Sequence, residues 1–386
     1  MLRRIGLGMV LAATMAASTF AIVVFSVLAT TLRDEFGVAR WQIGILVTVV
    51  TATGAIVSPA SGTIADRFAP RHVTAATMVI AAVGFLSIGL VPGYAWLAAV
   101  SVLCGIAQAM ANPATNRLIM SQAEAGRRGF LTGVKQAGVQ AGNFVGGILL
   151  PIGAASLLGW RGTVASVAIV PAIGLLILWW LIRGRSAPPL HPAARDRVTM
   201  SNVVGRLAIY GAMIGMAAGC LLTYVPSFAE ESFGFTRGAS GALVSLFGAV
   251  GFVTRLTAGP LSERVFGHHR TLSAMALLTA AAALLLAVAP SGGWLWLAAG
   301  LIGLGPMAWN VVGNLAVMEL SPEGGAGRGS GMMMAGFLGG MAVGAPLFGG
   351  SVDVLGNYQV GWVVVAVLGI FAAWTALKIR AEQAVG

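Results

Sequence analysis

The sequence predicts an all-α membrane protein of twelve transmembrane helices, arranged as two pseudo-symmetric six-helix bundles. Hydrophobic residues make up 58% of the 386 residues and charged residues only 9%, whereas soluble domains carry roughly 25% charged residues. Apolar stretches long enough to cross a bilayer recur along the chain. A set of short motifs also repeats at an offset of about 200 residues, so the two halves resemble each other.

Each predicted span is an apolar stretch of roughly 17–25 residues, the length that crosses a bilayer as a helix. The first stretch follows two arginines, but it is too long and lacks the cleavage site of a signal peptide. The twelve predicted spans are 7–32, 41–65, 73–91, 96–120, 130–150, 163–182, 203–228, 239–261, 271–289, 294–318, 330–350 and 359–377.

A polar linker divides the chain. Residues 184–201 are rich in proline and arginine, and they separate a predicted bundle over 1–183 from a second bundle over 202–386. Of the 23 Lys and Arg, seventeen fall in segments on the side of the membrane that carries the termini, and four on the other side. The positive-inside rule therefore predicts a multi-pass protein of the cell (inner) membrane with both termini in the cytoplasm.

Four correspondences define the internal repeat, and they occur in the same order in both halves. The paired segments are 62–71 with 259–270, 96–99 with 296–299, 125–127 with 326–328, and 138–147 with 340–350. Two six-span repeats form one established transporter architecture, with the substrate site between them near the membrane midplane.

The first repeated motif resembles the cytoplasmic loop motif of the major facilitator superfamily, Gly-x-x-x-Asp-Arg-x-x-x-Arg-Arg, and the resemblance covers essentially the whole chain. It implies secondary transport by alternating access, with ion pairs joining the halves at the cytoplasmic face when the carrier faces outward. A solvated loop that only sets topology is the alternative. The gating residues that the resemblance implies are Gly62, Asp66, Arg67 and Arg71, with Gly259, Glu263 and Arg264 in the second copy.

Glycines recur on the fifth and eleventh spans in a pattern similar to the family's antiporter motif. Asn143 stands where that motif has proline, and Pro346 comes one place later than expected. Close helix packing through small residues explains the same pattern, so both interpretations stay open. The glycines are Gly138, Gly142, Gly146 and Gly147 in the first half, and Gly340, Gly344, Gly349 and Gly350 in the second.

Lys135 and Arg255 are the two basic residues predicted to lie well inside spans, each eight residues from a cytoplasmic marker. A helix rises 1.5 Å per residue, which places both about 12 Å deep. A cation at such depth costs about 2.5–3.5 kcal/mol on insertion scales and usually marks function. No acid is predicted inside the spans, which favours an anionic solute as the partner. Snorkelling of Lys135, or bonding of Arg255 to backbone carbonyls, is the alternative.

Uncharged polar residues accompany the two cations on the predicted spans. We expect them to line a substrate cavity, although interhelical hydrogen bonding is an equal alternative. They are Gln136, Gln140 and Asn143 on the fifth span, Asn112 and Asn116 on the fourth, Tyr224 on the seventh, and Asn310 and Asn314 on the tenth.

These features predict a secondary carrier for a small organic anion such as a carboxylate; an efflux antiporter for apolar compounds is the alternative. The spans hold no cluster of histidines or carboxylates, and the chain has no phosphate-binding loop, so we expect no enzyme, cofactor or metal. The expected partners are the solute, membrane lipid, and a coupling proton or counter-anion. We expect a monomer that does not bind nucleic acid.

Overall fold

The computed structural model describes residues 2–122, 128–182, 202–320 and 326–383, and these residues form helices with no strands. Twelve helical segments are long and apolar enough to cross a membrane. The helices of the first half are Leu2–Val27, Ala29–Phe36, Arg40–Arg67, Pro70–Gly89, Tyr94–Gln122, Arg128–Ala154, Gly159–Ser166 and Ile169–Ile182. Those of the second half are Asn202–Phe233, Arg237–Leu261, His268–Val288, Gly293–Leu304, Trp309–Leu320, Ala326–Leu355 and Gln359–Gln383. The linker predicted over 184–201 lies outside the described residues.

The predicted end of the first span was wrong. The helix ends at Val27, and a separate short helix, Ala29–Phe36, carries the chain on to the next span. Ala29 and Leu32 are buried, because the short helix packs its apolar side onto the bundle. The hydropathy stays high along this apolar side, so no sequence signal marked the break.

Two spans are interrupted helices. The sixth consists of Gly159–Ser166 and Ile169–Ile182, and the tenth of Gly293–Leu304 and Trp309–Leu320. The tenth span breaks at Gly305-Pro306, where the proline lacks the N–H that would continue the helix. Its backbone then turns through Ala308, whose N–H bonds to the Gly305 carbonyl at 3.2 Å.

The two bundles meet along pairs of spans that the repeat relates by symmetry. The second span packs on the eleventh and the fifth on the eighth, while the first and seventh meet between them. Small residues allow these approaches: a Cβ on Gly248 would collide with the backbone of Phe144, and one on Gly44 with the backbone of Ala345. Since the number of spans is even, both termini lie at one face of the membrane, which we call the terminal face. The opposite face is the far face.

Prolines within the spans create hydrogen-bond acceptors at the bundle interface. A proline leaves the carbonyl four residues before it without its helical partner. Pro226 frees the Leu222 carbonyl, which accepts from the Ser26 hydroxyl of the other bundle. Pro346 frees the Ala342 carbonyl in the same way, and Thr48 donates to it. Each carbonyl freed by a proline thus accepts a hydrogen bond from the other bundle.

Ion pairs join the bundles at the far face. Glu231, at the end of the seventh span, accepts from Arg33 and Arg40 of the first bundle. Arg40 also reaches Asp353 at 3.1 Å, and the Tyr358 hydroxyl donates to Glu231 at 2.9 Å. Burial raises the pKa of Tyr358 above its ordinary value, so the phenol stays protonated and keeps donating. The far face is therefore closed.

Candidate functional site

Lys135 lies inside the first bundle, on the fifth span, with only 2% of its surface exposed. Its Nζ donates to three side-chain oxygens of the fourth span: Asn116 Oδ1 at 2.5 Å, Asn112 Oδ1 at 3.2 Å and Thr115 Oγ1 at 3.4 Å. Residues 112, 115 and 116 share one helix face because they are three and four positions apart. The ammonium therefore points into the protein, and the snorkelling alternative is excluded.

Arg255 lies on the eighth span, and its guanidinium spans the bundle interface. Its Nε donates to the Met307 carbonyl of the tenth span at 2.8 Å. Its Nη1 donates to the Gln136 carbonyl of the fifth span, in the other bundle, at 2.6 Å. The backbone bonding considered from the sequence is thus present. A guanidinium has five N–H groups, and three of them make no hydrogen bond within the described protein.

Gln136 connects the surroundings of the two cations. Its carbonyl accepts from Arg255, and its side-chain amide donates to Asn112 Oδ1 at 3.5 Å, the same oxygen that accepts from Lys135. The two positive groups therefore lie on either side of a single residue, although they come from different bundles.

The Met307 carbonyl is available because the tenth span is broken. In a continuous helix it would accept from the N–H of Val311, but that N–H bonds to Ala308 at 3.2 Å. Gln140 Nε2 donates to the Met307 carbonyl at 2.9 Å, and Asn143 Nδ2 donates to Gln140 Oε1 at 2.9 Å. Gln140 and Asn143 are both buried, so their amides are committed to each other and to this carbonyl.

Neither cation has an acidic partner among the described carboxylates. The ion pairs formed between two described side chains at the far face involve Arg33, Arg40, Arg161 and Arg237, and neither Lys135 nor Arg255 pairs with a described carboxylate. The positive charges of Lys135 and Arg255 are therefore solvated by neutral oxygens alone. Such an arrangement holds a cation in place without neutralising it, which leaves an anion electrostatically favoured.

The other predicted cavity residues make no hydrogen bond with this cluster in the described part of the chain. Tyr224 is buried near the far face, where its ring stacks on Phe348 at 5.0 Å and its hydroxyl donates to the Arg40 carbonyl at 3.0 Å. The Arg40 carbonyl and the aromatic cluster hold Tyr224 at the far face, and its role in lining a substrate cavity stays a prediction. Asn314 bonds within its own helix to the Asn310 carbonyl at 2.8 Å, and Asn310 Oδ1 is buried without a hydrogen-bond partner.

The predicted gating residues lie at the terminal face. Arg67 is exposed, and Arg71 Nε lies 3.3 Å from His72 Nε2. A Cβ on Gly62 would meet nothing within 4 Å, whereas one on Gly259 would lie 3.4 Å from Val311. The side chains of Asp66, Glu263 and Arg264 lie outside the described part of the structure. Among the described residues, none therefore packs closely on Gly62.

The glycines of the fifth and eleventh spans face neighbouring helices at close range. A Cβ on Gly138 or Gly146 would collide with the first span, at Ala12 and at Val23 respectively. Gly147 faces Gly241 of the other bundle. Gly142 makes ordinary contacts with the first span, Gly340 and Gly344 face Ala212 and Met216 of the seventh span, and Gly349 and Gly350 face Trp41 of the second.

Two members of the cluster were missed by the sequence interpretation. Thr115 was overlooked although it shares a helix face with Asn112 and Asn116. The Met307 carbonyl was overlooked because it is a backbone group. The Gly305-Pro306 pair in the middle of a span was the available signal, since Gly-Pro marks a break in a helix.

Comparison with known proteins identifies the family. The family model of the Major Facilitator Superfamily matches residues 9–236 and 207–385. A probable nitrate/nitrite transporter, NarK2, of Mycobacterium tuberculosis is 26% identical over 273 residues, which cover 67% of each chain. A probable L-galactonate transporter of Escherichia coli is 25% identical over 253 residues, covering 58% of this chain and 54% of that protein.

Solved structures share the fold. A bacterial homologue of the human lysosomal transporter Spinster, in its inward-facing and unoccupied conformation, superposes with a TM-score of 0.78 at 17% identity, covering 98% of this chain and 96% of that one. The nucleoside transporter NupG superposes with a TM-score of 0.74 at 14% identity, covering 98% and 99%. These relatives are transporters rather than enzymes, and the chain belongs to the major facilitator superfamily.

Proposed function

We propose that this transporter carries a small anion, such as a carboxylate, across the cell membrane by alternating access. The observation that carries the proposal is that Lys135 and Arg255, on spans of opposite bundles, are held by neutral oxygens with no described carboxylate beside them. Arg255 offers its remaining N–H groups to a planar anion, while Lys135 contributes a positive charge nearby. The names of the nitrate/nitrite and galactonate relatives agree with an anionic substrate.

The bundle arrangement supports the alternating-access part of the proposal. We place the bundle boundaries at 1–183 and 202–386, with the terminal face in the cytoplasm as the basic residues indicate. In the state described here the far-face ion pairs are made, and no described residue lies within 4 Å of where a Cβ on Gly62 would be. In the opposite state we propose that the far-face pairs separate and that the loop around Gly62, Asp66 and Arg67 closes the terminal face.

Transport into proteoliposomes tests the proposed function. We expect uptake of nitrate or L-galactonate by the wild-type protein, and loss of at least 90% of it in Arg255→Ala, because the anion loses the bidentate donor that the described site offers. Ser121→Ala, a change on the fourth span away from the cluster, is the control for insertion and reconstitution. Full uptake by Arg255→Ala would overturn the anion assignment.

The coupling mode is read from the same vesicles. Loading them with a second anion accelerates uptake if the carrier exchanges anions, whereas an imposed pH gradient accelerates uptake if a proton moves with the substrate. We expect the counter-anion to dominate, because no described carboxylate accompanies the two cations within the spans. Stimulation by the pH gradient alone would contradict this expectation.

A further inference from the structure

Gln140 makes a hydrogen bond between the two bundles at the point where Arg255 is held. Its Nε2 donates to the Met307 carbonyl at 2.9 Å, and Arg255 Nε donates to the same oxygen at 2.8 Å. Gln140 belongs to the fifth span, whereas Met307 and Arg255 belong to the second bundle. One backbone oxygen therefore receives a donor from each side of the interface.

The amide of Gln140 has a single orientation in this environment. Asn143 Nδ2 donates to its Oε1 at 2.9 Å, so the NH₂ group must face Met307. Gly251 of the eighth span provides the space, since a Cβ there would lie 3.2 Å from Gln140 Cδ and 3.2 Å from Met307 Cβ. Only 1% of Gln140 is exposed, so solvent has little access to replace the bond.

Gln140 restricts the direction in which the Met307 carbonyl points. It lies in the non-helical turn between the two halves of the tenth span, where no helical N–H fixes its direction. A carbonyl in such a turn can rotate with its peptide plane. When Gln140 donates to the Met307 oxygen, the position of that oxygen is fixed. The plane of the Arg255 guanidinium, which donates to the same oxygen, is then fixed as well.

We propose that Gln140, oriented by Asn143, is a positioning residue that fixes the guanidinium plane of Arg255 through the Met307 carbonyl, and so gives the site its preference for planar, bidentate anions. This inference rests on the proposed function of Arg255 as the anion-binding residue. It reassigns Gln140 and Asn143 from substrate contacts to supports of a substrate contact. A planar fork distinguishes nitrate or a carboxylate from a spherical halide only when its orientation is fixed.

The experiment compares the affinities of purified protein for nitrate and for chloride, measured by titration calorimetry or by ligand-induced thermal shift. We expect wild-type protein to prefer nitrate, and Gln140→Met to lose about tenfold of that preference while still binding both anions through charge. Arg255→Lys keeps the charge and removes the planar fork, so it should show the same loss. Gln108→Met, another glutamine inside a span, is the matched control and should keep the wild-type ratio.

A double substitution shows whether Gln140 acts through Arg255. If Gln140 acts through Arg255, then Gln140→Met should cause no further loss of preference in an Arg255→Lys background. Asn143→Ala leaves Gln140 in place but removes the hydrogen bond that orients it, so this variant should lose part of the preference for nitrate. It replaces Gln140→Met as the test if that variant does not fold. A merely structural role of Gln140 would lower stability without changing the ratio.

The outcomes separate the two proposals. If wild-type protein binds neither anion, or if Arg255→Lys leaves the nitrate preference intact, the proposed function of Arg255 fails. If Arg255→Lys loses the preference but Gln140→Met and Asn143→Ala keep it, only the positioning role is overturned.

Discussion

Lys135 is an ammonium buried among three neutral oxygens, and its replacement should separate stability from function. Methionine has a similar length and no charge to desolvate, so we expect Lys135→Met to be at least as thermally stable as the wild type. Its affinity for nitrate should fall about tenfold, equivalent to about 1.4 kcal/mol, because one of the two attracting charges is gone. Thermal unfolding and nitrate titration of the same preparation check both parts.

Asn116→Leu is the converse change at the same place. It keeps the ammonium and removes its closest acceptor, at 2.5 Å. An unsatisfied buried group costs about 1–3 kcal/mol, so this variant should be less stable than Lys135→Met. The reverse order of stabilities would show that the oxygens do not hold a charged Lys135.

At the scale of the elements, Pro346 has a specific consequence for the interface. It leaves the Ala342 carbonyl to Thr48 of the other bundle. Pro346→Ala restores a helical N–H that competes for this oxygen, and Thr48→Val removes the donor without touching the eleventh span. Losing one hydrogen bond of about 1 kcal/mol should lower the ratio of far-face-closed to far-face-open protein about fivefold in either variant.

Electron paramagnetic resonance distances measure that population. Spin labels on Leu157→Cys and Asn357→Cys lie on exposed far-face loops of different bundles, so their separation grows when the far face opens. Thr51→Val, which removes a hydroxyl that bonds within its own helix at 2.8 Å, is the control. An unchanged distance distribution in both interface variants would mean that the proline-freed carbonyl does not hold the bundles together.

The elements also show what sequence can predict and what it cannot. The existence of the spans follows from hydropathy and length, and Lys135 and Arg255 do lie within long apolar helices, Phe130–Ala154 and Arg237–Leu261. The acceptors of Arg255 were not predictable, because one is a carbonyl freed by a helix break and the other lies 119 residues away in the opposite bundle. The contacts of Tyr224 with Arg40 and Phe348 were not predictable either, because span and depth do not reveal which neighbour a side chain meets.

For the whole molecule, Glu231 is the acceptor that closes the far face. It pairs with two arginines and accepts a hydrogen bond from a tyrosine hydroxyl, and these three residues come from three separate segments. No local sequence pattern predicts that they meet. Glu231→Gln removes the charge while preserving the shape, and we expect it to cost about 1 kcal/mol of far-face closure, since the carboxylate is only 22% exposed. The same pair of spin labels should then report more of the open state.

Glu35→Gln is the matched control for that experiment. Glu35 pairs with Arg161 and accepts from Trp160, all within the first bundle, so its neutralisation should leave the distance between the bundles unchanged. An equal response of the two variants would indicate a general effect of far-face charge rather than a gate at Glu231.

The positions of the acceptors also affect how the chain is made. All three oxygens that bind Lys135 belong to the fourth span, so they are already synthesised when the fifth span leaves the ribosome, and the pair can enter the bilayer as a satisfied hairpin. Arg255 is synthesised 52 residues before Met307. At that stage the Gln136 carbonyl is the one of its two acceptors that already exists. Biogenesis of the second bundle therefore depends on the first bundle to shelter its arginine until the tenth span arrives.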